Sequence, residues 1–159
     1  MKRYAVISPR ETFRYILGRS WDIGLPSLTF VMLNPSIADA AQDDPTIRKC
    51  IGFAARLGYG GIEVTNLFAF RATDPALLRR GGYQVGPEND YWIRRAIHGG
   101  QPVVCAWGAH ARGLSRQADV LGIIRRDSAR PMSLALTEDG IPRHPLMLPY
   151  SCTLTEIPA

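Results

Sequence analysis

Four near-continuous apolar runs constrain this chain more than any other feature: LTFVML (Leu28 to Leu33), IEVTNL (Ile62 to Leu67), VVCAW (Val103 to Trp107) and MSLAL (Met132 to Leu136). A strand with one wet face alternates apolar and polar residues, whereas a strand apolar at nearly every position needs cover on both faces. The segments between the runs can supply it. Asp44-Pro45-Thr46 sets a capping acid before a proline at the first helical position, and Ile47, Cys50, Ile51, Ala54 and Leu57 then recur at helical spacing until Gly58. Gly86-Pro87-Glu88 opens a second helix through Ile93 and Ile97, ended by Gly99-Gly100. A third helix is expected from Ala109 to Leu121, with Ala111, Leu114, Ala118 and Leu121 on one face. Strand alternating with helix predicts a three-layer α/β fold around a central, mainly parallel four-stranded sheet. Before it, YAVI (Tyr4 to Ile7) and FRYIL (Phe13 to Leu17), with Ser-Pro-Arg between them, read as an N-terminal antiparallel hairpin.

The 159 residues, 46% of them apolar, fit a single domain over 1–159 with a sizeable core, and no linker, repeat or low-complexity tract divides it. No run approaches the roughly 18 apolar residues of a membrane span, and MKRYAVISPRE lacks the apolar stretch of a leader, so a cytoplasmic protein without membrane contact is expected. Cys50, Cys105 and Cys152 form no CxxC pair, which argues against a zinc ribbon or an iron–sulfur cluster. All three are read as buried small apolar residues, and no cofactor is expected. The oligomeric state is not constrained.

Lys and Arg number 19 against 14 Asp and Glu, a net charge of +5, and seventeen of the nineteen are arginine. Arginine's planar fork suits phosphate, so the bias permits a nucleic-acid or nucleotide partner, although GC-rich coding accounts for it equally well.

In open α/β sheets ligands bind beyond the carboxyl ends of the strands, so the residues just after each apolar run carry the functional reading. The first run ends in Asn34-Pro35-Ser36; the second delivers Asn66, then Phe68, Phe70 and Arg71; the third ends in Trp107-Gly108-Ala109-His110; Arg143-His144-Pro145 follow the fourth. Taken alone, Asn34 fits a capped turn, His110 a structural or exposed position, and Trp107 and Cys105 the core. Asn66 within an apolar run is harder to explain structurally, because a buried amide is costly unless its hydrogen bonds are met. His144, held between Pro142 and Pro145, divides evenly between structure and chemistry.

The set LNPSIADA, DDPTIRKC, VTNLFAFRATDP, VGPENDYW, AWG and DGIPRHPLMLP resembles, over nearly the whole chain, the bacterial and phage family known as domain of unknown function 1643. A more distant resemblance is to the uracil-DNA glycosylase superfamily. There a first strand ends in Asp-Pro or Asn-Pro, a second in asparagine, a third in Leu-Trp-Gly-x-His-Ala, and a last loop reads His-Pro-Ser. Asn34-Pro35, Asn66, AWGAHA (Ala106 to Ala111) and His144-Pro145 are similar, in the same order.

That resemblance implies a hydrolase of N-glycosidic bonds. Asn34 would position water, Asn66 would read a pyrimidine edge, His144 would donate to the base oxygen on which charge develops, and Leu148 would be the apolar wedge behind a flipped base. Pro35, Ser36, Phe68, Phe70, Arg71 and Arg143 complete the expected substrate-binding set. The chain departs from the pattern at Met32-Leu33, where a glycine lets the base approach the backbone, and at Leu146, where a serine contacts phosphate. Asp39, Asp43 and Asp44 crowd the first loop, where DNA phosphate would be repelled and a nuclease would hold magnesium. Two alternatives accompany the enzyme reading. One is a non-catalytic module binding nucleic acid or nucleotide, and the other is a small-metabolite binder on an ordinary α/β scaffold.

Overall fold

Asp44 and Asp74 each precede a proline, and each starts a helix. The Asp44 carboxylate accepts the Ile47 N–H at 2.8 Å to open α1 (Pro45–Arg56), and Asp74 accepts the Leu77 N–H at 2.9 Å to open α2 (Pro75–Arg80). The α2 segment carries the same Asp-Pro signature as α1, although its six residues are too few to show helical periodicity. In the computed structural model, which describes residues 1–97 and 100–159, these helices flank one seven-stranded sheet.

The strands are β1 (Lys2–Ile7), β2 (Arg14–Ser20), β3 (Ser27–Met32), β4 (Gly61–Asn66), β5 (Pro102–Cys105), β6 (Arg130–Ser133) and β7 (Thr155–Glu156), in the order β1-β2-β4-β3-β5-β6-β7. β3 lies parallel between β4 and β5, β5 pairs parallel with β6, and antiparallel ladders add β2 to β4, β1 to β2 and β7 to β6. The expected hairpin forms, but it is no appendage to a four-stranded sheet. Leu17 to Ser20 pair with Val64 to Gly61, so the β4 edge, whose N–H and C=O groups would otherwise be open, is extended.

Apolar side chains leave the sheet on both sides. Leu28, Phe30, Ile62 and Val64 pack with Ile47, Cys50, Phe53 and Ala54 of α1. Val31, Val103 and Cys105 pack with Ile93 of α3 (Asn89–Ala96) and with Val120, Ile123 and Ile124 of α4 (Arg116–Arg126). Two-sided burial is why Phe30 and Val31, adjacent in one strand, are both apolar.

Three expectations are corrected. The third helix is broken: Ala109–Ala111 form a 3-10 turn, Gly113 takes φ 78°, and α4 starts only at Arg116. The second helix ends at Ala96 with Ile97 extended; Gly99, named as its stop, lies outside the described residues. Cys50 and Cys105 are buried as anticipated, whereas Cys152, in the last loop at the margin of the α1 layer, is only half-buried. Among the described residues no helix is long and apolar enough to cross a membrane.

Candidate functional site

Along β4, Ile62, Val64 and Asn66 point to the α1 side of the sheet, and the stripe that begins as core ends in an amide. Asn66 is 1% exposed, and neither its Oδ1 nor its Nδ2 has a hydrogen-bond partner among the described residues. Its backbone is held firmly. Asn89 Nδ2 donates to the Asn66 carbonyl at 2.9 Å and the Leu67 carbonyl at 3.1 Å, and Arg116 Nε donates to the Leu67 carbonyl at 2.8 Å. The strand end is therefore fixed while the side chain it presents is unsatisfied.

That amide lines a cleft of about 500 Å³ at the carboxyl edge of the parallel strands. Asn34-Pro35-Ser36 after β3 form one wall, and Trp107-Gly108-Ala109-His110 after β5 another. His144 and Leu146 come from the loop after β6, Arg14 from β2, and Asp44 from the start of α1. Asn34, Asn66 and His144 thus meet in one cavity, together with Pro35 and Ser36. Strand β5 stops at Cys105, so Trp107 lies beyond the strand end and serves the core and the cleft together. Its Nε1–H donates to Gln117 Oε1 at 2.8 Å, which holds the indole in place.

The Asn34 amide is oriented by its nitrogen, which donates to the Pro35 carbonyl at 3.1 Å and the Ala72 carbonyl at 2.9 Å. Its oxygen accepts no hydrogen bond from the described residues and is left for a ligand or a water. Arg71 Nε braces the same loop through the Ser36 carbonyl at 3.4 Å.

His144 caps the 3-10 turn Pro145–Met147, its Nδ1 accepting the Leu146 N–H at 3.2 Å. The neutral ring then carries its proton on Nε2, and that N–H is the donor available to a ligand. Burial pushes the His144 pKa down, with the positive field of His110 in the same direction, while Asp44 opposes them. Gly108 makes room for the backbone and Cβ of His144. At φ 85°, a Cβ there would stand 3.2 Å from His144 Cβ, and its N–H donates to the Pro142 carbonyl at 2.9 Å, tying the two loops together.

The remaining predicted residues are placed elsewhere. Phe68 is buried and packs in the core with its ring tilted against Tyr83 at 5.5 Å; Phe70 packs edge-on to Phe13 at 6.5 Å; neither lines the cleft. Arg71 buttresses a wall without lining it, and Arg143 is exposed outside it. Leu148, expected as an exposed wedge, is 2% exposed in the α1-side core, because the turn at Pro145–Met147 directs Met147 outward and Leu148 inward. Each of the three acids has its own structural task. Asp39 binds the N–H groups of Ala41 and Gln42, Asp43 pairs with Arg19 at 2.8 Å, and Asp44 caps α1.

Arg14 was missed. It is 2% exposed, its Nη1 donates to the Ala38 carbonyl at 3.1 Å, and its Nε has no partner. Burial pulls its pKa down to about 10, with Arg71 and Arg19 acting the same way and Asp44 opposing. The signal was present in FRYIL, an arginine inside an otherwise apolar strand.

A family model described as "Protein of unknown function (DUF1643)" matches residues 14–146. No curated protein and no solved structure matches the chain.

Proposed function

Because the chain belongs to the DUF1643 family, whose description names no activity, we propose from the cleft itself that the protein binds a nucleobase and hydrolyses its N-glycosidic bond. The observation that carries this reading is the unsatisfied amide of Asn66. A buried Asn without partners costs about 1–3 kcal/mol for each group left unpaired. One donor and one acceptor side by side are what the amide-like edge of a pyrimidine complements.

The neighbours supply the other parts. His144 Nε2–H donates to a base oxygen as the C–N bond breaks and its electron pair moves onto the base, an interaction that strengthens as charge develops. The Asn34 oxygen accepts a hydrogen bond from a water and aims it at the anomeric carbon. An amide is no general base, so the water's proton passes to solvent after an oxocarbenium-like sugar has captured the oxygen. Further support comes from the chain order of Asn34, Asn66, His110 and His144 at successive parallel-strand ends, the arrangement implied by the resemblance to uracil-DNA glycosylases. The burial of Leu148 weighs against duplex opening by the wedge of that family.

The test is base release, followed chromatographically, from uracil-containing and modified-base oligonucleotides, nucleosides and nucleotides. Release abolished by Asn34→Ala and by His144→Ala in folded protein is the expected result. A uniformly negative screen rules out the hydrolase, and binding without release identifies a non-catalytic module.

A further inference from the structure

Arg14 is the second unsatisfied polar group on this cleft, and unlike Asn66 it is a cation. Among the described residues it forms no ion pair, only the Ala38 contact, and its Nε–H is spare. The charges acting on it are Asp44, whose carboxylate also holds the Ile47 N–H, and two further cations, Arg19 and Arg71. Arg19 is matched by Asp43, and Arg71 has the Ser36 carbonyl and the field of Asp39. Asp44 and Asp74, the carboxylates that line the cleft with Arg14, are each committed to a helix N-terminus and neither forms a salt bridge with it, and a buried cation without an ion-pair partner calls for an anion. Size points the same way. A cleft of about 500 Å³ falls in the range that holds drug-sized ligands, and a pyrimidine ring alone would leave most of it to water.

We infer that the natural ligand is a free pyrimidine nucleotide, with Arg14 receiving its phosphate while Asn66 holds the base. The base half of this assignment rests on the nucleobase reading above; the Arg14 half does not.

Calorimetric titration of the purified protein with uridine, cytidine, their 5′-monophosphates and ribose 5-phosphate separates the two halves. The expected result is a nucleotide bound at least about tenfold more tightly than its nucleoside, the scale of a hydrogen bond to a charged group. That advantage shrinks with added salt and is lost in Arg14→Met, which keeps nucleoside binding. Equal affinity for nucleoside and nucleotide overturns the Arg14 assignment and leaves the nucleobase reading standing. Ribose 5-phosphate binding as tightly as the nucleotide, through Arg14, overturns the nucleobase reading and keeps the anion site. Binding of none of these ligands overturns both. Should Arg14→Met fail to fold, the wild-type comparison still decides, and Arg14→Lys, which keeps the charge without the Nε–H, is expected to retain only part of the advantage.

Discussion

Asn89, buried at the start of α3, donates its side-chain amide to the backbone carbonyl of Asn66, 2.9 Å away, so a helix on one face of the sheet fixes the strand end that serves the cleft at the sheet's carboxyl edge. Replacing Asn89 by alanine removes this bond and the one to Leu67, leaving the Asn66 carbonyl without its donor. A loss of roughly 2–4 kcal/mol in urea unfolding is expected from two buried hydrogen bonds. A loss within error would mean that the ladder and Arg116 hold the strand end without Asn89.

Asn66 should respond in the opposite way. Its amide has no partner to lose and it borders an open cleft, so Asn66→Leu, with the same branched skeleton, is expected to leave stability unchanged or raise it by about 1–2 kcal/mol. The same substitution should abolish binding of any nucleobase ligand. Denaturation and calorimetry on one sample check both halves, and a strongly destabilised Asn66→Leu would show that the amide is satisfied within the fold.

Gly108→Ala tests the packing of the two loops. The φ of 85° is strained for any side chain, and the new Cβ would press on His144 at 3.2 Å. A cost of about 1–3 kcal/mol is expected, together with a fall in turnover larger than the fall in ligand affinity, because the ring that moves is the one assigned to the leaving base. Steady-state kinetics with a separate binding measurement distinguish the two.

The parts of this architecture that were readable from sequence are those set by local chemistry. Apolar runs demanded a sheet covered twice, Asp44-Pro45 announced a helix, and Asn34, Asn66 and His144 stood out because polar groups at strand ends have no core to join. Asp74-Pro75 carried an equally clear signal, but α2 is only six residues long and too short to show periodicity. Leu148 was misplaced because in or out, within a 3-10 turn, depends on a rotation that spacing from His144 does not encode. Phe68 and Phe70 lay near the site in sequence and were claimed by tertiary partners, Tyr83 and Phe13. Arg14 was overlooked because its strand comes before the four runs, and only the β2–β4 ladder brings it to the cleft.

The last prediction concerns pH. Burial holds the His144 pKa below its ordinary value of 6.5, so near and below that value the unfolded chain binds a proton that the folded protein resists. Stability therefore falls as pH drops through 6.5, and above it the contribution is constant. Protonation also converts Nδ1 from acceptor to donor and breaks the bond from the Leu146 N–H. Urea midpoints between pH 5 and 8 should show the acid-side decline in the wild type and a smaller one in His144→Gln. Base release, where found, should be level above neutrality, since a neutral ring already carries the donating Nε2–H. Activity rising steadily as pH falls from 7 to 5 would mean that the imidazolium is the working form and would remove the neutral-donor role assigned to His144.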